Sequence, residues 1–197
     1  FNQTSPLPFT YTGSLSPEPV EWSYVSSALS SELQSGVSYY VTLRVRDNAL
    51  NTADFFVYGS TFTFDNTPPV STVIIPQQTE IYYSSLPTIT GTSADLPPAE
   101  GLLSAGVRTV ELTIQDVTVG VPEENKYWTG SAWTGVTPTT FTASSTDNYQ
   151  TWYTTGTDVP LSLAWMQGHR YKISYWAYDK AKPLPGNKQL TQEVYFR

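Results

Sequence analysis

Apolar and polar residues alternate along Tyr39 to Asp47 (YYVTLRVRD), where Tyr39, Val41, Leu43 and Val45 share one parity. They alternate again along Tyr171 to Asp179 (YKISYWAYD), through Tyr171, Ile173, Tyr175 and Ala177. A period of two buries one face, so each stretch is expected to be a strand. The approach to each also repeats, as Leu33, Gly36 and Tyr39 and then Trp165, Gly168 and Tyr171. A side chain that seals the loop, a glycine that permits the turn and a tyrosine whose hydroxyl returns to backbone make a tyrosine corner. Two corners predict two β-sandwich units.

The repeat has an offset of 132 residues (179 − 47), which lays Phe196 on Phe64, Arg197 on Asp65, Phe141 on Phe9 and Trp133 on Phe1. The first unit, 1–66, therefore carries only late strands, expected near Phe9 to Thr12, Val20 to Val25, Tyr39 to Asp47 and Phe55 or Ser60 to Phe64. Asp65-Asn66-Thr67-Pro68-Pro69 is a short, stiff linker, because prolines fix φ and favour extended chain. The second unit, 67–197, is complete. Its strands are expected at Val73 to Ile75, Leu86 to Thr92, Val107 to Val117, near Phe141, Gln150 to Thr154, Tyr171 to Asp179 and Leu190 to Phe196. In the Val107 strand the apolar parity is Val110, Leu112 and Ile114. An aromatic hairpin, Tyr127 to Trp133, turns at Thr129-Gly130-Ser131. No segment has a 3.6-residue apolar period, so the chain reads as all-β.

Composition narrows the chemistry. Charged residues are 14% of the chain, there are no cysteines, and the formal net charge is −7. Disulfides, thiolate catalysis and cysteine-ligated zinc are excluded. The acidic balance disfavours nucleic acid and anionic membranes and leaves carboxylates available for cations. No apolar run approaches the roughly 20 residues of a membrane span. A start at Phe1 without methionine or signal peptide reads as part of something longer. No nucleophile elbow, zincin, P-loop or dinucleotide motif is present, and the lone histidine, His169, falls in the corner turn, where a solvent-facing position is expected. The chain is thus expected not to be an enzyme. Asn2-Gln3-Thr4 is a glycosylation sequon.

Three features carry a family resemblance: Asp47, Ala49 and Asn51 after the tyrosine-corner strand, F-D-N-T-P-P at Phe64 to Pro69, and P-T-I-T-G-T-S-A-D with A-G-V-R-T-V-E-L-T-I at Pro87 to Asp95 and Ala105 to Ile114. Together they resemble the bacterial Ig-like repeats, similar to fibronectin type III sandwiches, that occur in tandem in large surface proteins and adhesins. The resemblance implies tandem Ig-like β-sandwiches, the first incomplete, at the cell surface or outside the cell. It implies a rigid stalk or spacer whose partners are neighbouring repeats or copies of itself. In this chain the asparagine of the Asp-x-Ala-x-Asn turn is displaced to Asn187 by the insert KPLPG.

Two constellations follow. In such a sandwich Asp95 and Asp179 lie on loops at the pole of the unit's own N-terminus, so they are expected to approach linker Asp65, with Glu100 joining from the same loop. These carboxylates suit calcium; alternatively each aspartate caps its own turn, with Lys180 or Lys182 neutralising Asp179. Trp176 and Tyr178 point away from the core face, where the first copy has Arg44 and Arg46, and with Trp128 and Trp133 they offer a stacking platform for a glycan. The alternative has the long insert folding over that face and covering them. An incomplete first unit also leaves a filament subunit open, its missing strands supplied by a neighbouring chain.

Overall fold

A computed structural model describes residues 10–11, 22–23, 27–42, 49, 51, 59–77, 81–160 and 164–197. Of the residues named above, Phe1 to Phe9 (with Asn2 to Thr4), Thr12, Val20, Val25, Leu43, Arg44, Val45, Arg46, Asp47 and Phe55 lie outside the described residues. The chain is all-β; among the described residues the only helices are α1 (Ser27–Glu32) and a 3-10 turn at Gly156–Asp158. Alternation alone did not anticipate α1. A single turn needs no apolar period, and the S-A-L-S-S-E run contains no proline or glycine to prevent it.

Before residue 67 there are two hairpins, β1 (Thr10–Tyr11) with β2 (Trp22–Ser23), and β3 (Ser38–Thr42) with β4 (Gly59–Thr63). After it the strands are β5 (Val70–Ile75), β6 (Ile89–Ala94), β7 (Val107–Asp116), β8 (Tyr127–Trp128), β9 (Trp133–Gly135), β10 (Phe141–Thr142), β11 (Thr151–Thr154), β12 (Tyr171–Asp179) and β13 (Gln192–Phe196). They make a three-stranded sheet, β11-β6-β5, and a larger one, β13-β12-β7-β8-β9, to which β10 is added on β7. β5 begins directly after the diproline, three residues earlier than alternation suggested, because Val70 and Thr72 are exposed and only Ser71 of the added stretch is buried.

The centre is the antiparallel pair of β7 and β12. Val110 faces Ala177, Leu112 faces Tyr175 and Ile114 faces Ile173, and all six are buried. Such cross-strand apolar pairs are what holds a half-buried sheet together. Ile89 of β6 and Trp152 of β11 belong to the same cluster, so both sheets close over one core. A polar tie also crosses between them. Ser71 N–H donates to Gln189 Oε1 at 3.0 Å, Gln189 Nε2 donates to Ser71 O at 3.1 Å, and Trp152 Nε1 donates to Ser71 Oγ at 3.0 Å. Each buried polar atom in the tie thereby has a partner, which is the condition for burying it.

The two tyrosine corners share their geometry. Gln34 N–H donates to Tyr39 Oη at 2.8 Å, and Met166 N–H donates to Tyr171 Oη at 2.7 Å. Their partner strands do not share the 132 offset, because Tyr39 faces Phe62 whereas Tyr171 faces Phe196, a displacement of 134 (196 − 62). The connection from Tyr171 to Phe196 is two residues longer than that from Tyr39 to Phe62, so Arg197 matches Thr63 and not Asp65.

Burial, with a smaller contribution from the Asp116 and Glu123 charges and against the Met166 bond, pushes the Tyr171 phenol up to about 12, so it stays neutral and can both accept and donate. Tyr171→Phe removes the acceptor of the part-buried Met166 amide. The expected cost is about 1–3 kcal/mol, seen as a lower urea midpoint with an unchanged m-value. Unaltered stability would show that the corner hydroxyl contributes nothing.

Candidate functional site at the residue 65 junction

Leaving β4, the chain meets the corner turn of its own hairpin and then the loop that joins β6 to β7. Gly36 N–H donates to Phe64 O at 2.7 Å, and Leu103 N–H donates to Gly36 O at 3.0 Å. Gly36 has φ +82°, and a Cβ there would lie 2.7 Å from Leu102 Cβ and 2.8 Å from Leu103 O. Glycine is required both for the left-handed backbone and for the close approach.

Asp65 is the hub of this contact. Its Oδ1 accepts from Thr67 N–H at 3.0 Å and from Ser35 Oγ at 3.1 Å, and its Oδ2 accepts from Ala105 N–H at 2.7 Å. Its carbonyl accepts from Asn187 Nδ2 at 3.1 Å. Ser35 Oγ also pairs with Thr67 Oγ1 at 2.8 Å and accepts from Asn66 N–H at 3.2 Å. One side chain therefore ties the linker to a loop behind it and a loop ahead of it.

Asp95, just beyond β6, accepts from Gly106 N–H through Oδ2 at 2.7 Å. Its Oδ1 is buried and has no hydrogen-bond partner. Asp179 ends β12 and is fully buried. Its Oδ1 accepts from Ala181 N–H at 3.0 Å and Asn187 N–H at 2.7 Å, and its Oδ2 from Asn187 Nδ2 at 2.7 Å. Thus Asn187, although displaced by the insert, returns to the aspartate and bridges it to the Asp65 carbonyl. Amide donors, not Lys180 or Lys182, occupy the Asp179 oxygens.

One carboxylate oxygen each from Asp65, Asp95 and Asp179 lie within 4.8 Å of one another. Glu100 is exposed in the turn at the far end of its loop and stands outside this group. Asp95 and Gly106 pin the loop's two ends together, so its middle projects outward. Burial pushes the Asp95 carboxyl up to about 6; the Gly106 N–H pulls the other way, and the charges of Asp65 and Asp179 add to the rise. Three carboxylates at this spacing repel each other and can be relieved by one proton or by one hard, oxygen-seeking cation.

The aromatic residues divide into two sets. Trp128 is 4% exposed and Trp133 is packed against the core. Trp133 stacks on Tyr171 with centroids 5.0 Å apart and donates through Nε1 to Ala164 O at 2.8 Å. Trp176 and Tyr178 lie on the opposite parity of β12. Lys188 Nζ sits 4.4 Å from the Trp176 ring centre, Arg108 lies 5.4 Å from that of Tyr178, and Trp176 Nε1 donates to Glu111 Oε2 at 3.0 Å. The structure does not bring the four together on one surface.

A buried aspartate pairs with the part-buried His169. His169 Nδ1 lies 2.6 Å from Oδ2 of Asp116, whose other oxygen accepts from Thr118 N–H at 2.9 Å. His169 is therefore partnered, not simply solvent-facing. The signal was present: Asp116 has the parity of Val110, Leu112 and Ile114, which points a carboxylate inward and demands a partner.

Comparison with known proteins gives no match. No family model, no curated protein and no solved structure matches this chain.

The raised pKa of Asp95 fixes a sign. The folded value of about 6 exceeds the ordinary 3.8, so the folded protein holds the proton more tightly. Its stabilising effect is complete below 3.8 and is lost as pH rises through about 6. In chelator, unfolding free energy should therefore fall between those values, and Asp95→Asn should flatten the fall and be more stable than the parent at neutral pH. Parallel pH profiles for the two proteins in urea titrations would show that the group does not titrate in this way.

Proposed function

We propose that this chain is a non-catalytic structural module of an extracellular or cell-surface repeat protein, acting as a rigid spacer. In this reading 1–66 and 67–197 are successive Ig-like, fibronectin III-like sandwich units, the first represented by late strands. The recurrence of one corner geometry at Tyr39 and Tyr171 supports the repeat, and two sheets closing over one core support the sandwich. The observation that carries the spacer role is Asp65. Its carboxylate is bonded by Ser35 on one side and Ala105 on the other, with Pro68 and Pro69 following. A linker so held transmits orientation from one unit to the next.

The chain has no native cysteine, so spin labels at Thr61→Cys and Val119→Cys report one distance cleanly. A single narrow distribution is expected. Gly36→Asn keeps a residue tolerant of positive φ but places side-chain atoms where Leu102 and Leu103 sit, and should broaden it. A parent distribution already as broad as that of the variant would end the spacer reading.

Calcium is the cofactor this reading suggests, held by Asp65, Asp95 and Asp179 and supplying positive charge to the buried, unpartnered Asp95 Oδ1. A higher melting temperature in millimolar calcium than in chelator at neutral pH is expected; equal temperatures would remove calcium and leave the hydrogen-bonded joint untouched. A second reading, a subunit that assembles by strand addition, is favoured by the exposure of Tyr40, Val41 and Phe62 on the β3–β4 hairpin. Regular fibres in negative stain would favour it over discrete monomers.

A further inference from the structure

We infer that the turn at Gln167 and Gly168, with the groove beside it, is a docking site for a loop like Ala99 to Ala105 carried by another sandwich unit of this kind. The inference rests on the spacer reading above and gives that reading a second joint and a partner.

The corner turns at Gly36 and Gly168 have the same backbone. Their φ angles are +82° and +81°, Val37 N–H donates to Gln34 O at 3.2 Å, and His169 N–H donates to Met166 O at 3.2 Å. Their surroundings differ completely. Gly36 is buried and a Cβ on it would run into Leu102 and Leu103, whereas Gly168 is exposed and a Cβ on it would meet nothing within 4 Å. The first turn is covered by the loop of the unit that follows it. The second presents the same backbone uncovered.

Beside Gly168 is a groove of about 530 Å3, walled by Leu86, Trp165, Met166, Tyr171 and Phe196, with Tyr82 on its lining. Tyr82 is 74% exposed, a large aromatic left in water at the mouth of an apolar recess. Trp165 holds the position that Leu33 holds beside the occupied turn. The occupant that the first joint specifies is a loop presenting one backbone N–H to the glycine carbonyl, as Leu103 does, and an aliphatic side chain to the turn, as Leu102 does. The recess supplies the apolar surface such a side chain needs. One difference is that Ser35 becomes Gln167, whose amide offers both a donor and an acceptor to an incoming linker.

The test appends a second copy of residues 64–197 directly after Arg197, because strand register makes Arg197 the match of Thr63. Spin labels are placed at Val136→Cys in both copies, a position 76% exposed. A single narrow inter-label distance is expected, together with exchange of the Gly168 amide slowed on the order of tenfold against the 1–197 chain. Gly168→Asn should broaden the distance and restore fast exchange, while leaving the urea midpoint of the 1–197 chain unchanged. Leu102→Glu in the appended copy alone tests the same contact from the other side and should broaden the distance equally. A narrow distance indifferent to both substitutions, or a broad one without them, overturns the inference. If the distance is broad while Gly36→Asn still loosens the 1–197 chain, the second joint fails and the spacer reading stands; if Gly36→Asn has no effect, both fall.

Discussion

Where two stretches of irregular backbone meet, their amide groups have no ladder to pair with, and leaving them dry and unpaired is costly. At residue 65 that need is met by three aspartates. Asp65 takes the amides of Thr67 and Ala105, Asp95 takes that of Gly106, and Asp179 takes those of Ala181 and Asn187. The linker, the β6–β7 loop and the β12–β13 loop are each held by a carboxylate. Further bonds add to the three carboxylates: Lys180 N–H donates to Gly106 O at 2.9 Å, and Asn187 Nδ2 donates to the Asp65 carbonyl at 3.1 Å.

The arrangement has an electrostatic consequence. Each carboxylate is placed where its own loop needs it, and the summed result is three negative groups at one pole within 4.8 Å. N–H donors offset most of the repulsion, and for Asp65 and Asp179 both oxygens are engaged. The imbalance is concentrated on Asp95, which has a single amide partner and a raised pKa. The raised affinity of Asp95 for a proton is therefore a by-product of satisfying backbone, concentrated on the one carboxyl with the fewest donors.

Much of this was legible from residue order. Period-two alternation located β7 and β12 and their inward faces, because each is long and flanked by sheet on both sides. The resemblance to an Ig-like sandwich, not alternation, put the loops of Asp95 and Asp179 at the pole of the linker. What alternation could not supply was register. The fixed offset laid Phe196 on Phe64, whereas the longer connection before β13 makes Phe62 the match of Phe196 by strand register. Alternation points Asp116 inward but does not name His169 as its partner, and it gives no sign of the Ser71–Gln189–Trp152 tie, since both join residues far apart in the chain. Glu100 was misplaced for a similar reason: a carboxylate in the right loop is not thereby at the right end of it.

The tryptophans show how a chain without disulfides anchors a long insert. Trp128, Trp133, Trp165, Tyr171 and Phe196 form a continuous chain of ring contacts, with centroid separations from 4.7 to 5.7 Å between neighbours. Offset and edge contacts of this kind add to the burial of large apolar surfaces. The insert is thus fastened from the core side, through β8 and β9, and does not need to lie across the outer face of β12. That face is served instead by Lys188 and Arg108 resting on Trp176 and Tyr178, cations that shield the rings. The same inward packing that makes Trp165 and Phe196 good anchors also makes them the walls of the groove beside Gly168. The apolar surface that stabilises the unit is therefore continuous with the surface it leaves open at its far pole.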